Sequence, residues 1–541
     1  MDTREVKRIG AILMYLLAFI YLVGIFWINF HGALWFQMDV YTYALEGRLM
    51  HEARSCFPEG WIFGNQYHII TSPNISALFY GLVRDSTTSL AIASSLSAIL
   101  ILAAFWWGFH KYLTRTGMAA GILCLAGGII FGTSASTYIS GLQVLHTMAS
   151  FYACYLIVLL ITLGCYFRLK QKEATPWAMI VVAILTNFAL GMQSPRELLI
   201  LAIPLVIVEG LAFLVAIAKH RPFKEAVLKN GCLYFVLGVF VAEVAGHFFM
   251  QSLHVPTTPI IGDVSLDLSP AGLLANFWAS TKNLVRIAGI SIVVDGIRYL
   301  PLSICALLVF LTIPWSIVQI IKKKDRGILA RAIFFSVISV FGVYFVGIFL
   351  MRTRDIYYFV YWLLAALSVV YCAQHLHNKS FHAFLAGLLA ICAINYGYSF
   401  IPNYVDYHQN HRMVEAFTQK MVDDGIDVIY VDSTPIFAAS SKDRIISQSY
   451  WLNVNMDNGY PLYYFPSDKY VPAYDDAHYA KSLICISGQS LKTIPTLPEA
   501  FQDALFSHLE YYDEIQVKNK RYVFYKPTGR VIDPSPDSAL R

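Results

Sequence analysis

Eleven apolar runs dominate the chain, and each approaches the roughly 20 residues that a helix needs to cross a bilayer. They fall near 10–30, 88–109, 118–133, 144–167, 176–193, 197–218, 231–252, 298–321, 329–350, 356–376 and 381–400. A chain that is 57% hydrophobic and 14% charged, with a mean hydropathy of +0.55, lies outside the range of soluble domains. The expected fold class is therefore an α-helical polytopic membrane protein of about 11 transmembrane helices. The first run lacks a small-residue cleavage site and reads as an uncleaved span behind a short cytoplasmic lead, Met1 to Ile9.

Charge sets the orientation. With the N-terminus inside, the cytoplasmic segments hold 18 Lys/Arg and the longer external loops nine, so positive-inside bias supports that topology. An odd span count then puts the C-terminus outside. Hydropathy collapses after Ile401, which divides the chain into a membrane part, 1–401, and an extracytoplasmic α/β domain, 402–541. "DVIYVD" (Asp427 to Asp432), "SLICIS" (Ser482 to Ser487) and "YVFYKP" read as strands. "HRMVEAFTQKMVDDG" reads as a helix with Met413, Phe417 and Met421 on one face and Gly425 at its end. No internal repeat is evident.

Composition also excludes. The net charge is +5, and no Lys/Arg cluster interleaves with aromatics, so nucleic acid is not an expected partner. Seven of nine cysteines lie within apolar runs, without CxxC or zinc-like spacing. Cys56 and Cys485 fall outside the runs; a disulfide between them is one reading, and two free thiols the favoured one.

Two external loops are long: His31 to Thr87, and Ser252 to Ile297. Each carries an apolar stripe at helical spacing, Val40, Tyr43, Gly47 and Met50 in one, and Leu274, Phe277, Trp278, Leu284 and Val285 in the other. These stripes predict helices lying in the membrane interface. The first loop opens with "LWFQMDVYTYAL", in which Asp39 is the sole charged residue. Taken alone, Asp39 is a solvated acid favoured by a helix N-terminus. Flanked by Trp35, Phe36, Tyr41 and Tyr43, and followed by Glu46, it also suits a general base whose aromatic surroundings raise its pKa.

External arginines run against the positive-inside bias. Arg196 sits in "QSPRELL", Arg352 and Arg354 in "MRTRDIYYF", and Lys282, Arg286 and Arg298 in or after the fourth loop. Arginine's planar fork suits phosphate, so this set fits an anionic lipid headgroup. The plainer reading pairs Arg196 with Glu197 and Arg354 with Asp355. Glu243 and His247, spaced i, i+4, would share a helix face. His146 and His68 could contact substrate or satisfy local polar groups. Asp263 and Asp267 read as turn residues before metal ligands, and Asn74 in "NIS" fits a glycosylation acceptor.

The first-loop acid after span one, the interfacial helices, the arginines at external helix ends and the external C-terminal domain together resemble the GT-C superfamily of integral-membrane glycosyltransferases. Protein O-mannosyltransferases and lipid A aminoarabinose transferases are distant relatives in that group. The resemblance covers the membrane part by layout and rests by motif on "QMDVYTY", "SPRE" and "RTRDIYYF"; "YVDSTPIF…SQSYW" also resembles tail domains of bacterial members. It implies inverting transfer of a sugar from a polyprenyl-phosphate donor to a glycan, lipid or protein acceptor at the outer face of a bacterial plasma membrane. Asp39 matches the catalytic first-loop acid. Arg196, Arg352 and Arg354 would hold the donor phosphate, with Glu46, Tyr43, Arg286, Lys282 and His146 as further substrate contacts. Protein O-mannosyltransferases carry an Asp-Glu pair where this chain has Asp39 and Val40, which puts protein mannosylation in doubt. The second external loop holds no acid for a DxD-like motif, so no cofactor and no required divalent metal are expected. Late arginines also suit a surface-polysaccharide polymerase or ligase. A flippase or transporter would show repeats and mid-membrane charges, and a receptor would bind through 402–541.

Overall fold

The computed structural model describes residues 3–533 except 60, 64–65, 132–140, 219–229, 256–265, 291–296, 351–352, 433, 457–458, 465–468 and 471–478. Among the described residues, nine helices are long and apolar enough to cross a membrane. The helices are α1 (Thr3–His31), α2 (Met38–Ala53), α3 (Ser72–Val83), α4 (Ser86–Phe109), α5 (Arg115–Leu123), α6 (Gly141–Leu145), α7 (Ala153–Lys170), α8 (Trp177–Gln193) and α9 (Ile203–Ala218). There follow α10 (Gly231–Ser252), α11 (Pro270–Ile287), α12 (Leu300–Lys323), α13 (Ile328–Phe349), α14 (Val360–His375) and α15 (Asn378–Asp423).

Two of the expected spans are short. The run at 176–193 yields the 17 residues of α8. The run at 118–133 yields the nine of α5 and a π turn that ends where Gly127 adopts a φ of +115°, a conformation open to glycine. The carbonyls freed there are not left bare. Asn395 of α15 donates its side-chain amide to those of Gly127 (2.9 Å), Gly128 and Ile130 (both 3.2 Å), as a broken helix within apolar surroundings requires.

The run at 144–167 also becomes helical later than expected, at Ala153. Residues 146–152 form a buried turn with Met148 and Ser150 in the left-handed region. Polar side chains hold its backbone: Asn29 Oδ1 accepts from the Met148 N–H (2.6 Å), and the hydroxyls of Ser94 and Ser72 donate to the Met148 and Ala149 carbonyls. Elsewhere glycine allows close helix contact. A Cβ on Gly191 of α8 would meet the Glu243 carbonyl of α10, and one on Gly246 of α10 would meet the Phe188 carbonyl, the small-residue packing usual between membrane helices.

The expected boundary after Ile401 falls inside α15, which runs unbroken for 46 residues with Pro402 within it. Its last turns bury Val414, Thr418 and Met421, whereas Met413, expected on that face, is 39% exposed. Gly425 follows with a φ of +74°, as a C-cap residue would. Beyond it lie β2 (Val428–Val431), α16 (Ile436–Ser440), β3 (Ile446–Leu452), β4 (Leu462–Tyr464), β5 (Lys469–Tyr470), β6 (Ser482–Ser487), α17 (Gly488–Thr493), α18 (Glu499–Phe506), β7 (Leu509–Val517), β8 (Lys520–Pro527) and β9 (Ile532–Asp533), while β1 (Trp61–Ile62) belongs to the first loop. The main sheet has the order β7-β8-β6-β2-β3-β4-β9, with β2 parallel to both β3 and β6.

β2 and β6 are buried on both faces, as parallel central strands are. Ile429, Val431, Phe437 and Phe524 join the apolar core of the membrane helices, and Val428, Tyr430, Ile484 and Phe501 form a second core on the other side. The sheet therefore packs onto the membrane part. Its contacts there are with the first loop: Tyr41 Oη accepts from the Ser447 N–H (3.0 Å), Asp443 accepts from the Ser86 N–H (2.9 Å), and β5 pairs antiparallel with β1. All nine cysteines are free; Cys56 is exposed and Cys485 buried in β6.

Candidate functional site

The loop between α2 and α3 has no periodic pattern, and two of its polar side chains, Gln66 and His68, link α2 to Arg196. Arg196, just before the helical segment that begins at Leu198, donates from Nη1 to Tyr152 Oη (2.9 Å) and to Gln66 Oε1 (3.2 Å). Its guanidinium also faces the rings of Tyr357 and Tyr152, with centroids at 4.8 and 5.1 Å. Among the described residues Arg196 makes no ion pair. The adjacent Glu197 points elsewhere: it is wholly buried, and neither of its oxygens has a hydrogen-bond partner among the described residues. The expected Arg196–Glu197 pair is therefore not formed.

A guanidinium only donates, so Gln66 must present its oxygen to Arg196 and its NH₂ to the other side. That NH₂ donates to Tyr43 Oη (3.0 Å) and to His68 Nε2 (3.3 Å). His68 Nε2 is then an acceptor, its proton sits on Nδ1, and Nδ1 donates to Glu46 Oε2 at 2.6 Å. The order of bonds thus assigns the tautomer. Glu46 and His68 are both buried, and burial raises the Glu46 carboxyl pKa while His68 opposes the rise. Tyr155 Oη completes the set, lying 3.5 Å from Gln66 Oε1 and accepting from Gln193 Nε2 (3.3 Å).

Of the residues expected at a site, Tyr43, Glu46 and Arg196 share this network, and His68, read as a substrate contact or a partner of local polar groups, joins it through Glu46 and Gln66. Arg354 is exposed and close enough for its charge to act on Tyr152, whose pKa burial pushes up to about 12 against the fields of Arg196 and Arg354. Arg286 acts electrostatically on Asp355, and its Nε is buried with no hydrogen-bond partner among the described residues. Among the described residues neither Arg354 nor Arg286 has an acid within ion-pair distance. Asp355 instead accepts from the N–H of Ile356 (2.9 Å), its neighbour in the turn Asp355–Tyr358.

Asp39 lies in the first turn of α2, exposed, one turn before Tyr43 and two before Glu46. That spacing puts all three toward one side of the helix. The aromatic shield expected around Asp39 is absent at this exposed position. Lys282 is exposed on α11. His146 is wholly buried; its carbonyl accepts from Asn29 (3.2 Å) and its N–H donates to the Leu142 carbonyl (2.7 Å), bonds apart from the arginine network. Arg352 and Asp263 lie outside the described residues.

Other expectations are corrected. Glu243 faces inward, but His247 is half-buried and bonded to Gln251 (3.0 Å), so the two do not pair. Asn74 completes a capping box with Thr71 and donates to the His68 carbonyl (3.1 Å); half-buried and engaged at both ends of its amide, it is a cap and not an accessible glycan acceptor. Asp267 accepts from the Ser269 N–H (2.9 Å), a turn role that holds its pKa low. Among the described residues no three His, Cys, Asp or Glu side chains converge in a metal-binding group.

The residues missed in the sequence are the neutral ones: Gln66, Tyr152, Tyr155, Gln193 and Tyr357. No pattern distinguishes them from other tyrosines and glutamines near a membrane surface. No known protein-family model matches the chain, and no curated protein matches it in sequence.

Proposed function

We propose that the chain is an inverting glycosyltransferase that moves a sugar from a polyprenyl-phosphate donor to an acceptor at the extracytoplasmic membrane face. The observation that carries this reading is Arg196: a cation fixed by two hydrogen bonds and two aromatic rings, with no acid paired to it among the described residues. A rigid guanidinium left without a counter-ion suits an anion with paired oxygens, and phosphate is that anion at a membrane surface.

In this reaction the acceptor hydroxyl attacks the anomeric carbon and Asp39 takes its proton. The bond from that carbon to the phosphate oxygen breaks, its electron pair leaving with polyprenyl phosphate. Arg196, Arg354 and Arg352 offset the charge that develops on the phosphate, a preorganised electrostatic role. The Glu46–His68–Gln66 chain positions Arg196, and Tyr43, Arg286 and Lys282 border the substrate. Purified full-length protein given labelled polyprenyl-phosphate sugars tests this. Arg196→Ala is expected to lower transfer roughly 10²–10³-fold, with Arg196→Lys restoring a part; full activity in Arg196→Ala would sink the proposal.

One observation favours a second reading, a lipid-linked-sugar flippase. Glu197 and Glu243 are wholly buried, and neither carboxylate has a hydrogen-bond partner among the described residues; ionisable groups at such depth mark transport paths in many carriers. Movement of labelled lipid-linked sugar across proteoliposomes without any transfer product would decide for it.

A further inference from the structure

The sheet places a second group of polar and aromatic side chains at one edge. β3 and β6 lie on opposite sides of β2 and all three run parallel, so the chain reverses its direction of progress across the sheet at β2. In open parallel sheets a crevice forms outside the carboxyl ends of the strands at such a switch point, and ligands bind there. An open cleft of about 260 Å³ occupies that place, lined by Asp432, Tyr450, Trp451, Leu452 and Ser490.

Asp432 follows β2 directly. Its two oxygens accept from the Ser487 N–H (3.0 Å) and the Ser487 hydroxyl (2.7 Å), which fixes the carboxylate, an acceptor of up to about four hydrogen bonds. Trp451, near the end of β3, is 41% exposed, large for an indole in a strand, and Tyr463 on β4 meets it edge-on at 6.1 Å. Among the described residues the cleft lining holds an acid and no base, a lining that disfavours phosphate and nucleotides. A flat apolar ring beside a fixed, acceptor-only carboxylate matches a molecule with an apolar C–H face and hydroxyls at its rim.

We propose that this cleft binds a neutral carbohydrate, the pyranose face lying on Trp451 and its hydroxyls donating to Asp432. The proposal stands whether or not the Arg196 site transfers sugar. The test uses full-length protein in nanodiscs free of sugar-based detergent, with saturation-transfer NMR against glucose, galactose, mannose and N-acetylglucosamine. At least one should bind. Trp451→Ala should weaken it at least tenfold, Trp451→Phe recover a part, Asp432→Asn weaken it severalfold, and Arg196→Ala leave it unchanged. Ser490→Phe, which fills the cleft without altering the sheet, should abolish binding and guards against a Trp451 variant that fails to fold. The proposal is overturned if no sugar binds, if uridine monophosphate binds the cleft in place of sugars, or if binding survives Ser490→Phe. Loss of binding in Arg196→Ala with retention in Trp451→Ala would also overturn it, and would assign the sugar to the transfer site instead.

Discussion

α2 and α11 read alike in the sequence, each a loop helix with an apolar stripe, and the fold uses them in opposite ways. α2 is buried on almost every side, with Val40, Tyr41, Tyr43, Leu45, Glu46 and Met50 enclosed where it packs on α3 and α4. α11 turns its polar and small side inward: Asn276, Ser280, Asn283 and Ile287 are buried, while Leu274, Phe277, Trp278 and Val285 are exposed. An apolar stripe thus marks a face without saying whether protein or lipid will cover it. Neighbouring partners decide. Under the proposed function, α2 carries chemistry from a rigid base, and α11 offers its apolar side to the membrane.

Four measurements break or sharpen that contrast. The largest effect is expected at the start of α2: Asp39→Asn should lower transfer roughly 10²–10⁴-fold with a stability loss of no more than about 1 kcal/mol, the worth of an exposed first-turn acid. Unchanged transfer would leave α2 a purely structural helix. Next comes the inward side of α11. Asn283 donates to the Thr353 carbonyl at 2.8 Å, so Asn283→Leu should cost about 1–3 kcal/mol on thermal unfolding; no loss would mean that α11 is not held by its polar face.

A smaller effect concerns Glu46. Its raised pKa means that the folded chain binds this proton more tightly than the unfolded chain does. The stabilising contribution is therefore full below the ordinary value of 4.5 and is lost as pH rises through the raised one. Melting temperatures across that range should fall with pH in the wild type and fall less steeply in Glu46→Gln. The smallest effect is expected at Trp278, 56% exposed. Trp278→Ser should shift stability in micelles by no more than about 0.5 kcal/mol, and a much larger loss would put protein, not lipid, against that face.

How much of this was legible follows from which signals are local. Run length located the membrane helices because twenty apolar residues have few alternatives, yet it overextended α5 and α7, where the chain is apolar but unwound around Gly127 and Met148. Those breaks depend on Asn395, Asn29, Ser72 and Ser94, which are distant in sequence. The strands of β2 and β6 were legible because burial on both faces leaves an unbroken apolar run. Arg196, Glu46 and Tyr43 stood out through charge or position. His68 stood out only as a lone external histidine, and Gln66 not at all, since its role arises from the donor-only nature of a guanidinium 130 residues away. Hydropathy likewise drops after Ile401 without showing that the helix continues past it.

That continuation has a mechanical consequence. At 1.5 Å per residue the 46 residues of α15 form a rod about 69 Å long, more than twice the hydrocarbon thickness of a bilayer. One end of the rod is anchored among apolar helices by Tyr21 and Asn395, and the other inserts Val414, Thr418 and Met421 beneath the sheet. The sheet is thus mounted on a mast from which Pro402 removes one ladder hydrogen bond and moored to the first loop by the Tyr41–Ser447 and Ser86–Asp443 bonds. A lean of the mast within the bilayer is delivered, lengthened, to those two moorings, on the same loop that carries Asp39 and Gln66.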